Sequence, residues 1–161
     1  MQKKSFSILL LLFTIVLLLP KASECQFLRK KIKQMFVKKV DQQALKQPVA
    51  SVFVTLRHDG RERSYYLYKP TSWDGKTSIP LVFLFHGGGG GGRGALYYYE
   101  LEKKAEEAGF LLVAPNGTGE TENVLLTWNV GFGFGYAQKN KVDDIGFINA
   151  LIDDLARIYP S

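Results

Sequence analysis

The sequence predicts an α/β fold, and two apolar runs with a helical segment between them carry that prediction. Residues 81–85 and 110–114 are short and almost wholly apolar, as is typical of strands buried on both faces of a parallel sheet. Residues 95–108 place apolar side chains at helical spacing, and Gly109 is the expected stop. Strand, helix and strand in this order predict a β-α-β unit with parallel strands.

An antiparallel hairpin is expected before this unit. Residues 51–57 and 63–69 are rich in Val, Phe, Thr and Tyr, which favours two short strands. Asp59-Gly60 lies between them and supplies the turn, whereas His58 beside it is expected to be solvated.

Two helices are predicted to cover the sheet. The helix over 95–108 is expected to turn one set of side chains inward (Leu96, Tyr99, Ala105 and Ala108) and another outward (Glu102, Lys103 and Glu106). A last helix begins at Asp143-Asp144, ends before Pro160 and is expected to bury one stripe: Ile145, Ile148, Ile152, Leu155 and Ile158. Both aspartates are interpreted as caps of free helix N–H groups rather than as carboxylates of a site.

The charge of the chain is concentrated at its N-terminus. The net charge is +6, yet residues 1–50 carry +8 and residues 51–161 carry −2. Because the predicted domain is mildly acidic, its high overall isoelectric point does not indicate a polyanion-binding surface. No nucleic-acid partner is predicted.

Residues 1–25 are predicted to be a signal peptide. Lys3-Lys4 precedes an apolar run over 8–19, which is shorter than the roughly 20 residues that span a bilayer. Secretion, or export to a periplasm, is the expected consequence. Two kinds of membrane attachment stay open: an uncleaved signal, and lipidation at Cys25, the single cysteine.

Residues 26–50 are predicted to form a basic leader. Over 26–46, apolar side chains recur at three- and four-residue steps among lysines, which indicates an amphipathic helix. A solvated leader helix is the favoured interpretation, and a membrane-surface helix is the alternative.

The residues that indicate chemistry directly follow the first predicted parallel strand. His86 and the six glycines 87–92 lie beyond its carboxyl end, where open α/β sheets bind ligands. Glycine has no Cβ, so a substrate can approach its backbone N–H, as the stabilisation of a tetrahedral oxyanion requires. His86 is interpreted as a brace that hydrogen-bonds the loop, with general base as the alternative.

Six glycines also satisfy the dinucleotide fingerprint, but its second half is missing. The following strand ends in Ala114-Pro115-Asn116 rather than in an acidic residue that would bind a ribose. No Gly-Lys-Ser/Thr follows the glycines, so a phosphate loop is also disfavoured. Neither a cofactor nor a metal is predicted.

A long loop continues to Lys141. Its length is typical of a functional loop, and Trp128 and Asn129 within it are candidates for a pocket wall. The loop also contains the alternating segment Gly131-Phe132-Gly133-Phe134-Gly135.

Together these motifs resemble the exported esterases of the polyhydroxybutyrate depolymerase and feruloyl esterase group, within the α/β-hydrolase superfamily. The resemblance covers residues 51–161 and depends on a set of short matches: Tyr66-Leu67-Tyr68-Lys69-Pro70, Pro80-Leu81-Val82, His86 with Gly87 to Gly90, Pro115-Asn116-Gly117, Thr127-Trp128-Asn129 and Val142 to Ile148. The chain departs from many of these relatives at 131–135, where they carry paired cysteines.

The resemblance implies a secreted carboxylic ester hydrolase that acts through an acyl-enzyme. The expected oxyanion loop is His86 with Gly87, Gly88, Gly89 and Gly90, and the N–H groups of Gly87 to Gly89 are the expected donors. Polyester, feruloylated polysaccharide and small acyl esters all remain candidate substrates.

The same resemblance implies that this chain is the N-terminal part of a hydrolase sheet, truncated before the nucleophile strand. No nucleophile, triad acid or triad base is therefore assigned in it. The chain by itself is expected to be poorly stable and inactive on esters. The alternative is a non-catalytic, secreted binding protein derived from an esterase.

Overall fold

The chain divides into two compact units, residues 1–43 and 44–161. The computed structural model describes residues 48–132 and 134–159, together with seven earlier residues: Leu28, Lys31, Ile32, Gln34, Met35, Lys39 and Lys46. The six described residues of the first unit are helical. The predicted signal peptide, Cys25 and most of the predicted leader helix lie outside the described residues. No helix within the described part of the chain is long and apolar enough to cross a bilayer.

The second unit combines strands and helices, which confirms the mixed α/β class. Its described residues form the strands β1 (Val52–His58), β2 (Arg61–Tyr68), β3 (Leu81–Phe83) and β4 (Leu111–Pro115). They also form the helices α1 (Gly92–Tyr99), α2 (Leu101–Ala108), α3 (Tyr136–Lys139) and α4 (Asp144–Ile158).

The strands form one mixed sheet in the order β1-β2-β4-β3. β1 and β2 are the predicted antiparallel hairpin, and Asp59 and Gly60 at its turn have φ values of 48° and 69°. Two left-handed residues in succession are what a tight hairpin turn requires. β3 and β4 pair in parallel, as the β-α-β prediction states.

Helices cover both faces of the sheet. On one face, α4 packs Phe147, Leu151 and Leu155 against Tyr65 and Val113. On the other face, a second cluster combines sheet and helix residues: Tyr66, Leu112, Ala114, Leu96 and Ala105. Each residue of β4 is buried, which confirms the prediction for that strand.

β3 lies at an edge of the described sheet, with β4 as its partner among the described strands. It is three residues long and half-buried, so the prediction of a strand over 81–85 buried on both faces requires correction. Phe85, predicted as its last residue, is 48% exposed. A strand with a partner on one side leaves its other side open, so its apolar residues are only partly covered.

The prediction of a single helix over 95–108 is wrong. Glu100 adopts the left-handed conformation (φ 50°) and separates α1 from α2. The break changes the helix phase, so that Tyr99 and Ala108 are exposed rather than inward. Glu102 and Glu106, expected to face outward, are half-buried: they accept hydrogen bonds from the Ser51 N–H (2.7 Å) and the Tyr68 hydroxyl (2.7 Å) respectively.

The buried face of α4 also differs from the prediction. Ile145, Ile152 and Ile158 are exposed, Ile148 is half-buried, and the inward residues are Asp144, Phe147, Leu151 and Leu155. The predicted stripe and the buried stripe both carry apolar residues at helical spacing. The buried stripe, which faces the sheet, begins at Asp144, and Asp144 forms a buried ion pair with Arg63.

Candidate functional site

His86 fixes the start of the glycine loop through both ring nitrogens. Its Nδ1–H donates to the Gly87 carbonyl oxygen (2.8 Å), and its Nε2 accepts from the Gly117 N–H (3.0 Å). This pair of bonds defines the neutral tautomer with the proton on Nδ1. The ring is 4% exposed, and its burial lowers the pKa of His86 below the ordinary value. The geometry is that of the brace favoured from the sequence.

A short stretch of backbone pairing holds the centre of the loop. The Gly89 N–H donates to the Leu126 carbonyl oxygen (2.8 Å), and the N–H groups of Leu125 and Leu126 donate to the carbonyl oxygens of Gly89 and Gly90. Gly89 has a φ of +84°, a conformation that side chains rarely allow. The predicted donor set requires correction here, because the Gly89 N–H is already committed to Leu126.

The end of the loop is held by close packing. A Cβ on Gly92 would lie 2.5 Å from the Ala114 carbonyl oxygen, so a larger residue does not fit. The Gly92 N–H donates to the Asn116 side-chain oxygen at 2.7 Å. Asn116 thus ties the start of α1 to the end of β4.

The N–H group of the buried Gly91 hydrogen-bonds to no described residue. The same holds for the N–H groups of Gly87 and Gly88. Both are exposed, and neither has a φ in the left-handed region. A Cβ on Gly87 would meet open space. Two unpaired donors on a backbone fixed at both ends are therefore available to an acceptor from outside the chain.

Trp128 lies between the loop and an apolar cavity. Its Nε1–H donates to the His86 carbonyl oxygen (3.0 Å), and its ring centroid is 4.9 Å from that of His86. The cavity has a volume of about 440 Å³, and its walls include Phe85, Trp128, Ile145 and Ile148. None of the loop glycines lines it, so the cavity begins beside the loop rather than within it.

Asn129, the other candidate for a pocket wall, is not among the residues that line this cavity. Its side-chain amide donates to the Val142 carbonyl oxygen (2.8 Å), and its backbone N–H donates to Asp144 Oδ2 (2.6 Å). Asn129 therefore anchors the long loop to the start of α4.

Asp144 is not the exposed helix cap predicted from the sequence. Its carboxylate and the Arg63 guanidinium form an ion pair at 2.6 Å, with both side chains 2% exposed. The guanidinium also lies 3.9 Å from the centroid of the Phe147 ring, a cation–π contact. Burial lowers the pKa of Arg63, although Asp144 beside it opposes that shift.

Asp143 has the predicted role, because its side chain accepts from the Gly146 N–H (2.9 Å) as the N-cap of α4. His58 is not simply solvated: its Nε2 lies 2.9 Å from Asp143 Oδ2. This hydrogen bond is the largest cause of a lowered pKa at Asp143.

The alternating Gly-Phe segment brings one ring to the glycine loop. A Cβ on Gly88 would lie 3.3 Å from Phe134 Cζ, whereas Phe132 is not among its neighbours. Both rings are 77% exposed. From the sequence, residues 131–135 were only a departure from the esterases that the chain resembles, and no role was predicted for Phe134.

The described residues do not contain a complete hydrolytic triad. Neither His58 nor His86 hydrogen-bonds to a described serine, since their partners are Asp143, Gly87 and Gly117. No group of three His, Cys, Asp or Glu side chains in this part of the chain is placed to hold a metal ion.

Comparison with known proteins does not assign the chain to a family. No protein-family model matches the sequence, and no curated protein matches it significantly.

Proposed function

We propose that this chain provides the oxyanion-binding part of a secreted carboxylic ester hydrolase of the α/β-hydrolase type. The observation that carries the proposal is the pair of unpaired N–H groups at Gly87 and Gly88, on a loop that His86 and Leu126 hold in place. In this reaction class a carbonyl oxygen gains negative charge as the carbonyl carbon becomes tetrahedral. Two fixed N–H donors stabilise that charge without reorganising during the reaction.

The fold supports the same assignment. The glycine loop leaves the carboxyl end of β3, which pairs in parallel with β4, and it leads into α1. Ligands of open α/β sheets bind at this edge. The order β1-β2-β4-β3 gives a mixed sheet that is compatible with an α/β fold.

His86 contributes as a positioning residue in this proposal. Its Nε2 is occupied by the Gly117 N–H and its Nδ1–H by the Gly87 carbonyl, so neither nitrogen is free to take a proton from a nucleophile. A neutral ring that holds the Gly87 carbonyl fixes the orientation of the next peptide group, whose N–H belongs to Gly88.

No described residue is assigned as nucleophile. The chain contributes two N–H donors, and each such donor typically increases the reaction rate about a hundred- to a thousandfold. Candidate substrates are the esters that the resemblance implies: polyester, feruloylated polysaccharide or small acyl esters.

Binding of a tetrahedral oxyanion tests the donor pair directly. Methylphosphonate is titrated into the ¹⁵N-labelled chain while the amide resonances of Gly87, Gly88 and Gly89 are followed. We expect saturable shifts at Gly87 and Gly88 and little change at Gly89, whose N–H is bonded to Leu126. Shifts confined to surface lysines, or none at all, would refute the proposal.

A turnover assay tests the reaction class. The product of the complete reading frame is assayed with p-nitrophenyl acetate and butyrate, with and without a serine-directed phosphonate. Turnover that the phosphonate abolishes supports a serine esterase. Binding of methylphosphonate without turnover of either ester favours the alternative, a non-catalytic secreted binding protein.

A further inference from the structure

The Phe134 side chain lies beside Gly88 in the glycine loop. Its Cζ and Cε2 atoms lie 3.3 and 3.8 Å from the position of a Cβ on Gly88. With 77% of its surface exposed, the ring contributes little to the core. An exposed ring beside a residue with an unpaired N–H is therefore the feature that needs an explanation.

The position of Phe134 is fixed by the residues that follow it. Gly135 has a φ of +102°, and a Cβ there would collide with the Thr127 side chain, so the chain passes close to Thr127. Two residues further on, the Ala137 N–H donates to Thr127 Oγ1 (3.0 Å). The backbone after the ring is thus anchored on Thr127.

The glycine loop is anchored on the residue before Thr127. Leu126 accepts from the Gly89 N–H and donates to the Gly90 carbonyl oxygen. Leu126 and Thr127 are adjacent in the chain, and Thr127 is itself paired through its backbone with Thr118. One segment therefore holds the donor loop on one side and Phe134 on the other.

We infer that Phe134 is a specificity-determining residue that contacts the apolar substituent of a ligand whose oxygen binds at Gly87 and Gly88. This inference rests on the proposed oxyanion site and adds the class of ligand to it. Because the ring lies beside Gly88, an acceptor oxygen bound at the Gly88 N–H brings its substituents close enough for one of them to contact the ring. Ligands with an aryl or similarly sized apolar group bury part of the ring against that group, whereas a methyl group does not.

Two phosphonates and two matched variants test the inference. Benzylphosphonate and methylphosphonate carry the same charged group and differ in the apolar substituent. Phe134→Ala removes the ring at Gly88, and Phe132→Ala removes an equally exposed ring that is not among the neighbours of Gly88. Dissociation constants are measured from the Gly87 and Gly88 amide shifts in each protein.

We expect the unmodified chain and Phe132→Ala to bind benzylphosphonate about two- to tenfold more tightly than methylphosphonate, as one aromatic contact allows. Phe134→Ala is expected to abolish this preference, because the benzyl group then has no ring to contact. Because both rings are exposed, both variants are expected to retain the amide spectrum of the folded chain.

The outcomes separate this inference from the proposed function. If methylphosphonate shifts neither Gly87 nor Gly88 in any protein, the oxyanion site itself is refuted. If both phosphonates bind at these amides and Phe134→Ala keeps the benzyl preference, the oxyanion site stands and the role of Phe134 is overturned. Loss of the preference in both alanine variants also overturns it, because the effect is then not specific to Phe134.

Discussion

Replacing His86 is predicted to destabilise the domain through two identified hydrogen bonds. In His86→Leu the Gly117 N–H loses its acceptor at 3.0 Å, and an unsatisfied, partly buried donor costs about 1–3 kcal/mol. The Gly87 carbonyl loses a donor at 2.8 Å but keeps the Gly90 N–H, so that loss adds about 0.5–1.5 kcal/mol. Together these losses lower the free energy of unfolding by about 1.5–4.5 kcal/mol.

His86→Gln is the matched variant. A glutamine side-chain oxygen can take the place of Nε2 and accept from the Gly117 N–H, while the donor to the Gly87 carbonyl is lost. We therefore expect a loss of about 1 kcal/mol. Urea unfolding at neutral pH measures both variants, and a His86→Leu protein within about 0.5 kcal/mol of the unmodified chain would refute the reasoning.

The pH dependence provides an independent check on His86. Burial lowers its pKa in the folded state, whereas the unfolded value is about 6.5. As pH falls below about 6.5, the unfolded chain therefore binds a proton before the folded chain does, and stability decreases by up to about 1.4 kcal/mol per pH unit. Above about pH 7 the His86 ring is neutral in the folded and the unfolded chain, so it does not make the free energy of unfolding depend on pH. His86→Gln lacks the titrating ring, so an unchanged slope between about pH 5 and 7 would contradict this interpretation.

Three further predictions concern the framework of the site. Asp144→Leu leaves the buried Arg63 guanidinium without its partner and is expected to cost about 3–5 kcal/mol in urea unfolding, whereas the double variant Arg63→Met/Asp144→Leu recovers part of that loss, because the Asn129 N–H still lacks its acceptor; equal losses would contradict the ion-pair argument. Gly92→Ala, whose Cβ meets a backbone carbonyl of β4, is expected to destabilise by about 1–3 kcal/mol, while Gly94→Ala, with open space in the same helix, stabilises by up to about 1 kcal/mol; thermal melts of the two should shift in opposite directions. Glu100→Gly relieves a left-handed residue between α1 and α2 and is expected to stabilise by about 0.5–1 kcal/mol, so a lowered melting temperature would show that this break is not strained.

Several features were predictable because they depend on neighbours in the sequence. Asp59-Gly60 specifies the hairpin turn through its own backbone preferences, and Asp143 caps α4 by accepting from an N–H three residues ahead. The histidine and glycines after an apolar strand placed the candidate site at the sheet edge. The same information did not reveal which glycine N–H groups are already bonded, because the acceptor of the Gly89 N–H, Leu126, lies in another loop.

Other features depend on contacts between residues far apart in the chain. The buried face of α4 is an example, since two apolar stripes compete and Asp144 pairs with Arg63, 81 residues away. Phe134 is another: its place beside Gly88 results from Gly135 and Ala137 packing on Thr127.

The sequence by itself determined the order of the strands, the hairpin turn and the location of the glycine loop, because periodicity and turn chemistry act over a few residues. Tertiary structure decided which donors remain free, which face of α4 is buried and which ring contacts the loop. Those outcomes depend on buried hydrogen bonds and ion pairs between distant segments, whose energies exist only once the segments are packed together.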